Sequence, residues 1–184
     1  MTGKSQEIVK IPAERVAALV GRNGEAKKQI EKAAGVKLKV DEEGEVIMEG
    51  DAEKIFFAKD VVRAVGRGFE PRVALKILRE GFHFYIINLK EYANTTNAMR
   101  RIKGRIIGEK GRIKDEIENT ADSHISIYGH TVGVIGPMDS VQIALEAVGM
   151  IIDGAMHSTV LNYLAKAKRD LMLLRMKGGR GRYG

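Results

Sequence analysis

The chain repeats itself in register. Shifted by 87 residues, Leu19 to Val40 falls on Ile106 to Ile127 without a gap. Leu19-Val20 meets Ile106-Ile107, Lys27 meets Lys114, Ile30 meets Ile117, and Glu31 meets Glu118. Ala34 meets Ala121, and Leu38 and Val40 meet Ile125 and Ile127. With the shift reduced to 86, Val46, Met48, Gly50 and Ile55 meet Val132, Val134, Gly136 and Val141. Hydrophobic phase survives throughout, so the two halves turn the same faces inward. This is one module used twice, because a solenoid needs at least about three repeats to close its core. A length of 184 residues, 44% of them hydrophobic, suits two small domains.

Each module reads β-α-α-β-β-α. In the first, Ser5 to Pro12 alternates around Ile8, Val9 and Ile11 as a strand does. Pro12 and the run Ala13 to Val20 open a short helix. Gly21-Arg22-Asn23-Gly24 interrupts it, and Glu25 to Ala34 forms a second helix that Gly35 stops. Val36, Leu38 and Val40 alternate with Lys37 and Lys39 as a half-buried strand. Asp41 to Gly44 is a hairpin loop, Glu45 to Glu49 the return strand, and Ile55, Ala58, Val62 and Val65 mark a third helix. In the second module Phe82 to Leu89 is the first strand, Asn97 to Ile107 and Arg112 to Thr120 the paired helices, and Ser123 to Tyr128 and Thr131 to Ile135 the hairpin. One long helix begins near Met138, with Gly149 and Gly154 as possible breaks, and its apolar stripe continues to Met176. Pro71 to Arg79 is a connecting helix. The domains expected are 5–79 and 80–176, followed by a flexible Arg-Gly tail at 177–184.

Charge is unevenly placed. The net charge is +7, yet Gly21 to Lys39 carries +4, Asn97 to Lys114 +6 and Lys166 to Gly184 +6, leaving the remainder at −9. Two of the three basic stretches surround Gly21–Gly24 and Gly108–Gly111. Clustered Lys and Arg are the footprint of a polyanion partner. Taken singly, a GxxG is an ordinary turn. Paired in phase between helices, it has a physical use: glycine permits unusual φ/ψ and close approach, and the free N–H groups opening the next helix favour an anion. A phosphodiester backbone fits that description. With aromatics at only 5%, a stacking platform is disfavoured.

A β-α-α-β-β-α order with GxxG between the first two helices resembles the type I KH domain. The resemblance implies an α+β fold in which each module packs a three-stranded antiparallel sheet on helices, with an extended C-terminal helix. It also implies that GxxG clamps the backbone of about four nucleotides while their bases lie in an apolar groove. The groove's other wall would be the middle strand and its hairpin loop, Val36 to Val40 and Ser123 to Tyr128. Carried over to this sequence, the RNA-binding residues are Gly21, Arg22, Asn23, Gly24, Lys27 and Lys28 in the first module. In the second they are Arg101, Arg105, Gly108, Glu109, Lys110, Gly111, Arg112 and Lys114. Glu109 departs from the family pattern in sign.

Two such modules, the run from Arg101 to Arg112 and the helix around His157-Ser158-Thr159-Val160 are similar to one family in particular. It is the archaeal counterpart of the partner-of-Nob-one group of pre-rRNA processing factors. The resemblance implies binding of single-stranded RNA in the 3′ region of 16S rRNA. It also implies two protein partners, the endonuclease that trims that end and the alpha subunit of initiation factor two. The other readings are a generic tandem KH regulator of mRNA and a ribonuclease subunit.

Several chemistries find no support. Cysteine is absent, which excludes disulfides and thiolate metal sites and fits a reducing, cytoplasmic setting. The N-terminal residues lack an apolar signal core, and no apolar run reaches the roughly 18 residues of a membrane span. His83, His124, His130 and His157 form no HxxxH pair. Asp41-Glu42-Glu43 lacks the alternating ligands of a calcium loop. Gly104 to Lys110 fails the spacing of a phosphate-binding loop. The expectation is a non-enzyme without cofactor or metal.

Overall fold

A computed structural model describes residues 5–179, with side chains to 176. The first module runs β1 (Ser5–Lys10), α1 (Val16–Val20), α2 (Glu25–Ala34), β2 (Lys37–Val40), β3 (Glu45–Gly50) and α3 (Ala52–Gly66). A connector of α4 (Pro71–Ala74) and the turn Leu75–Leu78 follows. The second module runs β4 (Phe82–Asn88), α5 (Thr96–Ile107), α6 (Arg112–Ala121), β5 (His124–Tyr128), β6 (Thr131–Pro137) and α7 (Met138–Ile152), and α8 (His157–Gly179) closes the chain. The sheets have the same topology, β1-β3-β2 and β4-β6-β5, antiparallel throughout. The third strand of each module therefore lies at the centre of the sheet. The strand in the middle of the module's sequence, β2 or β5, lies at an edge.

The aligned apolar positions become the cores. Leu19, Ile30, Leu38 and Met48 are fully enclosed in the first module, and Ile106, Ile117, Val132 and Val134 in the second. Each such side chain contributes about 1.5–3 kcal/mol.

The second sheet is covered on both faces. Val132 and Val134 face α5, α6 and α7, whereas Ile135, Phe82 and Phe84 join the first module's core beside Phe69 and Ile77. A Cβ on Gly133 would lie 2.7 Å from the Phe69 ring, so only glycine lets the connector come this close. Phe69 and Phe84 meet edge to face at 6.0 Å. β6 is consequently buried from Thr131 to Gly136, while β3 alternates. The two modules share this apolar seam and form one body.

The C-terminal segment ends in the extended helix expected, α8, and divides at one of the two glycines named as breaks. α7 and α8 are two helices rather than one. Gly154 makes the break, at φ +96°, whereas Gly149 lies within α7. α8 extends past Met176 to Gly179, so the tail assigned to 177–184 is helical at its start, and residues 180–184 lie outside the described residues. Smaller shifts occur at other ends. α5 starts at Thr96 because the Thr95 hydroxyl accepts from the Ala98 N–H at 3.1 Å.

Candidate nucleic-acid interface

The two GxxG loops adopt the same backbone. Gly21 sits at φ 73°, ψ 176° and Gly24 at φ 75°, ψ 14°. Their counterparts Gly108 and Gly111 sit at φ 75°, ψ 175° and φ 79°, ψ 5°. The first glycine of each loop is required by packing. A Cβ on Gly21 would be 2.6 Å from the Ala26 Cβ, and one on Gly108 would be 2.5 Å from the Ile113 Cγ1. The last glycine faces open space: a Cβ on Gly24 would meet nothing within 4 Å, and one on Gly111 only Asp115 Oδ2 at 3.9 Å. Asn23 and Lys110 are left-handed at φ 53° and 51°. For lysine that conformation costs on the order of 1 kcal/mol, strain of the kind held at ligand-contacting sites. Neither α2 nor α6 has a side-chain N-cap; the Glu25 and Arg112 N–H groups turn back to the carbonyls of Arg22 and Glu109, and the positive end of each helix dipole lies at the loop.

The predicted site residues divide into three groups. Arg22, Asn23, Lys28, Arg101, Glu109, Lys110 and Arg112 are exposed, and Lys27 is half-buried beside them. Lys114 is half-buried and donates to Glu118 Oε2 at 2.9 Å. Arg105 is placed differently from the sequence-based expectation. Its guanidinium donates to the carbonyls of Ile151, at 2.7 Å, and Ala155, and its own carbonyl lies 2.8 Å from His157 Nε2. It ties α5 to the α7–α8 break, and those two bonds occupy two of the guanidinium's five N–H donors and turn it toward the break.

The edge strands are braced by a feature that the sequence alignment contained but did not explain. Glu31 Oε1 accepts from the Leu38 N–H at 2.8 Å, and Glu118 Oε1 accepts from the Ile125 N–H at 2.6 Å. In each module one carboxylate on the helix after the loop holds the strand opposite, which fixes the width between them.

A cleft of about 890 Å3 runs along β5, lined by Lys114, Glu118 and His124 to Ile127, with Arg72, Val73 and Lys76 of the connector opposite. Lys76 Nζ lies 2.6 Å from His124 Nε2. Burial, then the Lys76 charge, pushes the His124 imidazolium to titrate below the usual histidine range. The connector residues were missed by sequence reading because nothing local ties 72–76 to 124–127. Among the described residues no group of three or more His, Asp or Glu is placed to hold a metal ion. Nor is any helix among them long and apolar enough to cross a membrane.

Comparison with known proteins matches residues 5–64 to the KH domain and 83–169 to the eukaryotic type KH-domain (KH-domain type I). A KH domain-containing protein of Methanocaldococcus jannaschii is 41% identical over 95% of this chain and 79% of its own length. The pre-rRNA-processing protein PNO1 of Chaetomium thermophilum is 29% identical over 61% of this chain and 44% of its own. Dim2p of Pyrococcus horikoshii, solved in complex with the alpha subunit of initiation factor 2 and rRNA, superposes with a TM-score of 0.84 at 40% identity, covering 91% of this chain and 96% of that one.

Proposed function

The chain belongs to the tandem KH-domain family of archaeal Dim2p and the PNO1 pre-rRNA-processing proteins, and from that premise we propose that it is a single-stranded RNA-binding factor of small-subunit ribosome biogenesis. It holds the 3′ region of 16S rRNA through its GxxG loops. The observation that carries this reading is the shared loop geometry: a first glycine locked by packing, a last glycine open to the outside, and exposed basic residues around them. The backbone N–H groups and basic side chains take phosphates, and the edge strand braced by Glu118 or Glu31 flanks the bases.

The second loop is the stronger clamp in this reading, because Lys110 and Arg112 flank it and Arg101 stands on the helix leading to it. The contacting set is Gly108 to Arg112, Arg101 and Lys114, with Gly21 to Gly24, Lys27 and Lys28 in the first module. The units at 5–79 and 80–176 act together, in the cytoplasm, as a binder rather than an enzyme. The partners are the alpha subunit of initiation factor two and the endonuclease that trims the rRNA end. Crosslinking the protein to RNA in cells and sequencing the adducts tests the reading. A dominant peak at the 3′ end of 16S rRNA is expected, and adducts spread over mRNAs without that peak overturn it.

A further inference from the structure

A second basic surface lies where the modules meet, away from both GxxG loops. A cleft of about 480 Å3 is lined by Lys10 at the end of β1, by Lys59 and Arg63 on α3 and Arg67 just past its end, by Asn88 at the end of β4, and by His130 in the β5–β6 hairpin. That volume lies within the range of small-ligand sites, about 300–1,000 Å3. Among the described residues no carboxylate lines it. Lys59 pairs with Glu7, and Arg63 with Asp60 at 3.1 Å, while Lys10 and Arg67 have no acidic partner among the described residues.

These four cations lie outside every basic stretch of the sequence, in a remainder whose net charge is −9. Folding gathers them. Lys59, Arg63 and Arg67 recur every four residues, which sets them in one row along α3 and its C-terminal cap. The backbone of Arg67 is held from both sides. The Arg67 N–H donates to the carbonyls of Arg63 at 2.9 Å and Ala64 at 3.0 Å, and its carbonyl accepts from the Ser126 hydroxyl at 2.8 Å. Glu7 and Asp60 offset Lys59 and Arg63, which leaves the charges of Lys10 and Arg67 for an anion received in the cleft to offset.

The cleft connects to the proposed RNA groove through one hairpin. Lys103, on the helix that leads into Gly108–Gly111, donates to the Gly129 carbonyl at 2.9 Å. The next residue, His130, lines the cleft. Burial chiefly, then the charges of Lys90, Arg67 and Lys103, disfavours the His130 imidazolium.

We propose that this inter-module cleft is a second backbone site, which takes phosphates of the same RNA strand beyond the nucleotides held at Gly108–Gly111. This rests on the RNA-binding reading above and extends the footprint from the clamp, round the β5–β6 hairpin, onto α3 of the first module. The seam between the modules then has a function besides stability, because it fixes the distance between the two sites.

The test uses the full chain, a 12-nucleotide single strand from the rRNA 3′ end and a hexamer within it, with binding followed by fluorescence anisotropy across a salt series. The double variant Lys10→Gln/Arg67→Gln is expected to bind the 12-mer roughly tenfold more weakly, and to lower the log–log salt slope by about 1.4, the value for two lost single-strand phosphate contacts. Its affinity for the hexamer should equal that of the parent. Lys10→Arg/Arg67→Lys keeps the charges and should restore the slope. Thermal unfolding of each variant checks the fold, and Arg63→Gln is a second probe if Arg67→Gln unfolds. Unchanged 12-mer affinity and slope, with the hexamer still bound, overturn the second site and leave the clamp intact. Equal weakening of both RNAs also overturns it. If inorganic phosphate shifts the His130 NMR signals and the 12-mer does not displace it, the cleft is a small-anion site and the proposal fails. Failure of the parent protein to bind the hexamer refutes the RNA-binding reading itself.

Discussion

The two glycines of the second loop should fail in different ways when given a methyl group. Gly108 occupies φ 75°, ψ 175°, a region essentially closed to side chains, and its Cβ would stand 2.5 Å from Ile113 Cγ1 and 2.9 Å from the Ile113 N. The conformational strain costs ~1–3 kcal/mol. The overlap cannot be relieved by a flexible side-chain tip, since backbone is involved, and adds ~1–3 kcal/mol. Gly108→Ala is therefore expected to lose ~2–6 kcal/mol of stability. Gly111 at φ 79°, ψ 5° is in the left-handed helical region, which alanine enters for ~1–2 kcal/mol, and its Cβ meets no atom closer than 3.9 Å. At ~2–4 °C per kcal/mol for a chain of this size, Gly108→Ala should lower Tm by ~4–24 °C and Gly111→Ala by ~2–8 °C. RNA affinity should show the reverse order among folded molecules. The Gly111 methyl projects into the open face where a phosphodiester would lie, and should weaken binding by about tenfold, ~1.4 kcal/mol. Urea unfolding and anisotropy on the same preparations give both quantities. Equal destabilisation by the two substitutions would refute the packing argument. Unimpaired RNA binding by Gly111→Ala would refute the open-face argument.

Lys110→Asp should weaken RNA binding by at least ~1 kcal/mol without unfolding the protein, because aspartate tolerates the left-handed φ of 51° at this position; anisotropy and circular dichroism check it. Arg105→Met should instead cost about 2–4 kcal/mol of stability by leaving the Ile151 and Ala155 carbonyls without their charged donor, with RNA affinity and salt slope unchanged; a loss of slope would restore Arg105 to the phosphate-contacting set. Glu118→Ala should cost about 1–3 kcal/mol and speed amide exchange of Ile125, and Glu31→Ala should do the same at Leu38. His124 titrates below its unfolded value of 6.5, so the unfolded chain binds more protons as pH falls through that value. Stability should decline on acidification below about pH 6.5 and His124→Gln should flatten the curve; chemical denaturation across pH measures it.

Most of the fold was legible because the repeat supplied each half with the other as a control. Local signals fixed the strands and paired helices: Gly35 ending α2, alternation at Leu38 and Val40, and glycine at both ends of each loop. The loops themselves were legible as GxxG, but the distinct roles of their two glycines were not, since the difference lies in what Ala26 and Ile113 leave room for. Arg105 looked like one more basic residue before Gly108. Its partners, the carbonyls of Ile151 and Ala155, are 46 and 50 residues away and no local pattern points to them. The cationic cleft escaped for the same reason: a charge tally over windows cannot see Lys10 beside Arg67.

The halves are alike in topology yet unlike in what their sheets do, and the cause lies in single-residue differences across the repeat. On the outer face of β3 stand Glu45, Ile47 and Glu49; at the matching positions of β6 stand Thr131, Gly133 and Ile135. Two carboxylates keep the first sheet's outer face in water, where Ile8 remains 56% exposed. Replacing them with threonine and isoleucine, and setting glycine at the centre, turns the same surface into a seat for Phe69. The connector must then lie across the back of the second sheet, and this brings Arg72 and Lys76 to the edge of β5 and α3 to the β5–β6 hairpin. The asymmetry therefore does more than join two modules. It gives the second module a groove and a basic cleft partly built by the first, so Ile135→Glu, which recreates the first module's outer face, should loosen the seam. A buried, unpaired carboxylate there should cost several kcal/mol. Sites built within one module should survive that change better than the cleft shared by both. Long-RNA affinity falling further than hexamer affinity would agree with this. Equal loss of both would mean that the seam supports the clamp itself.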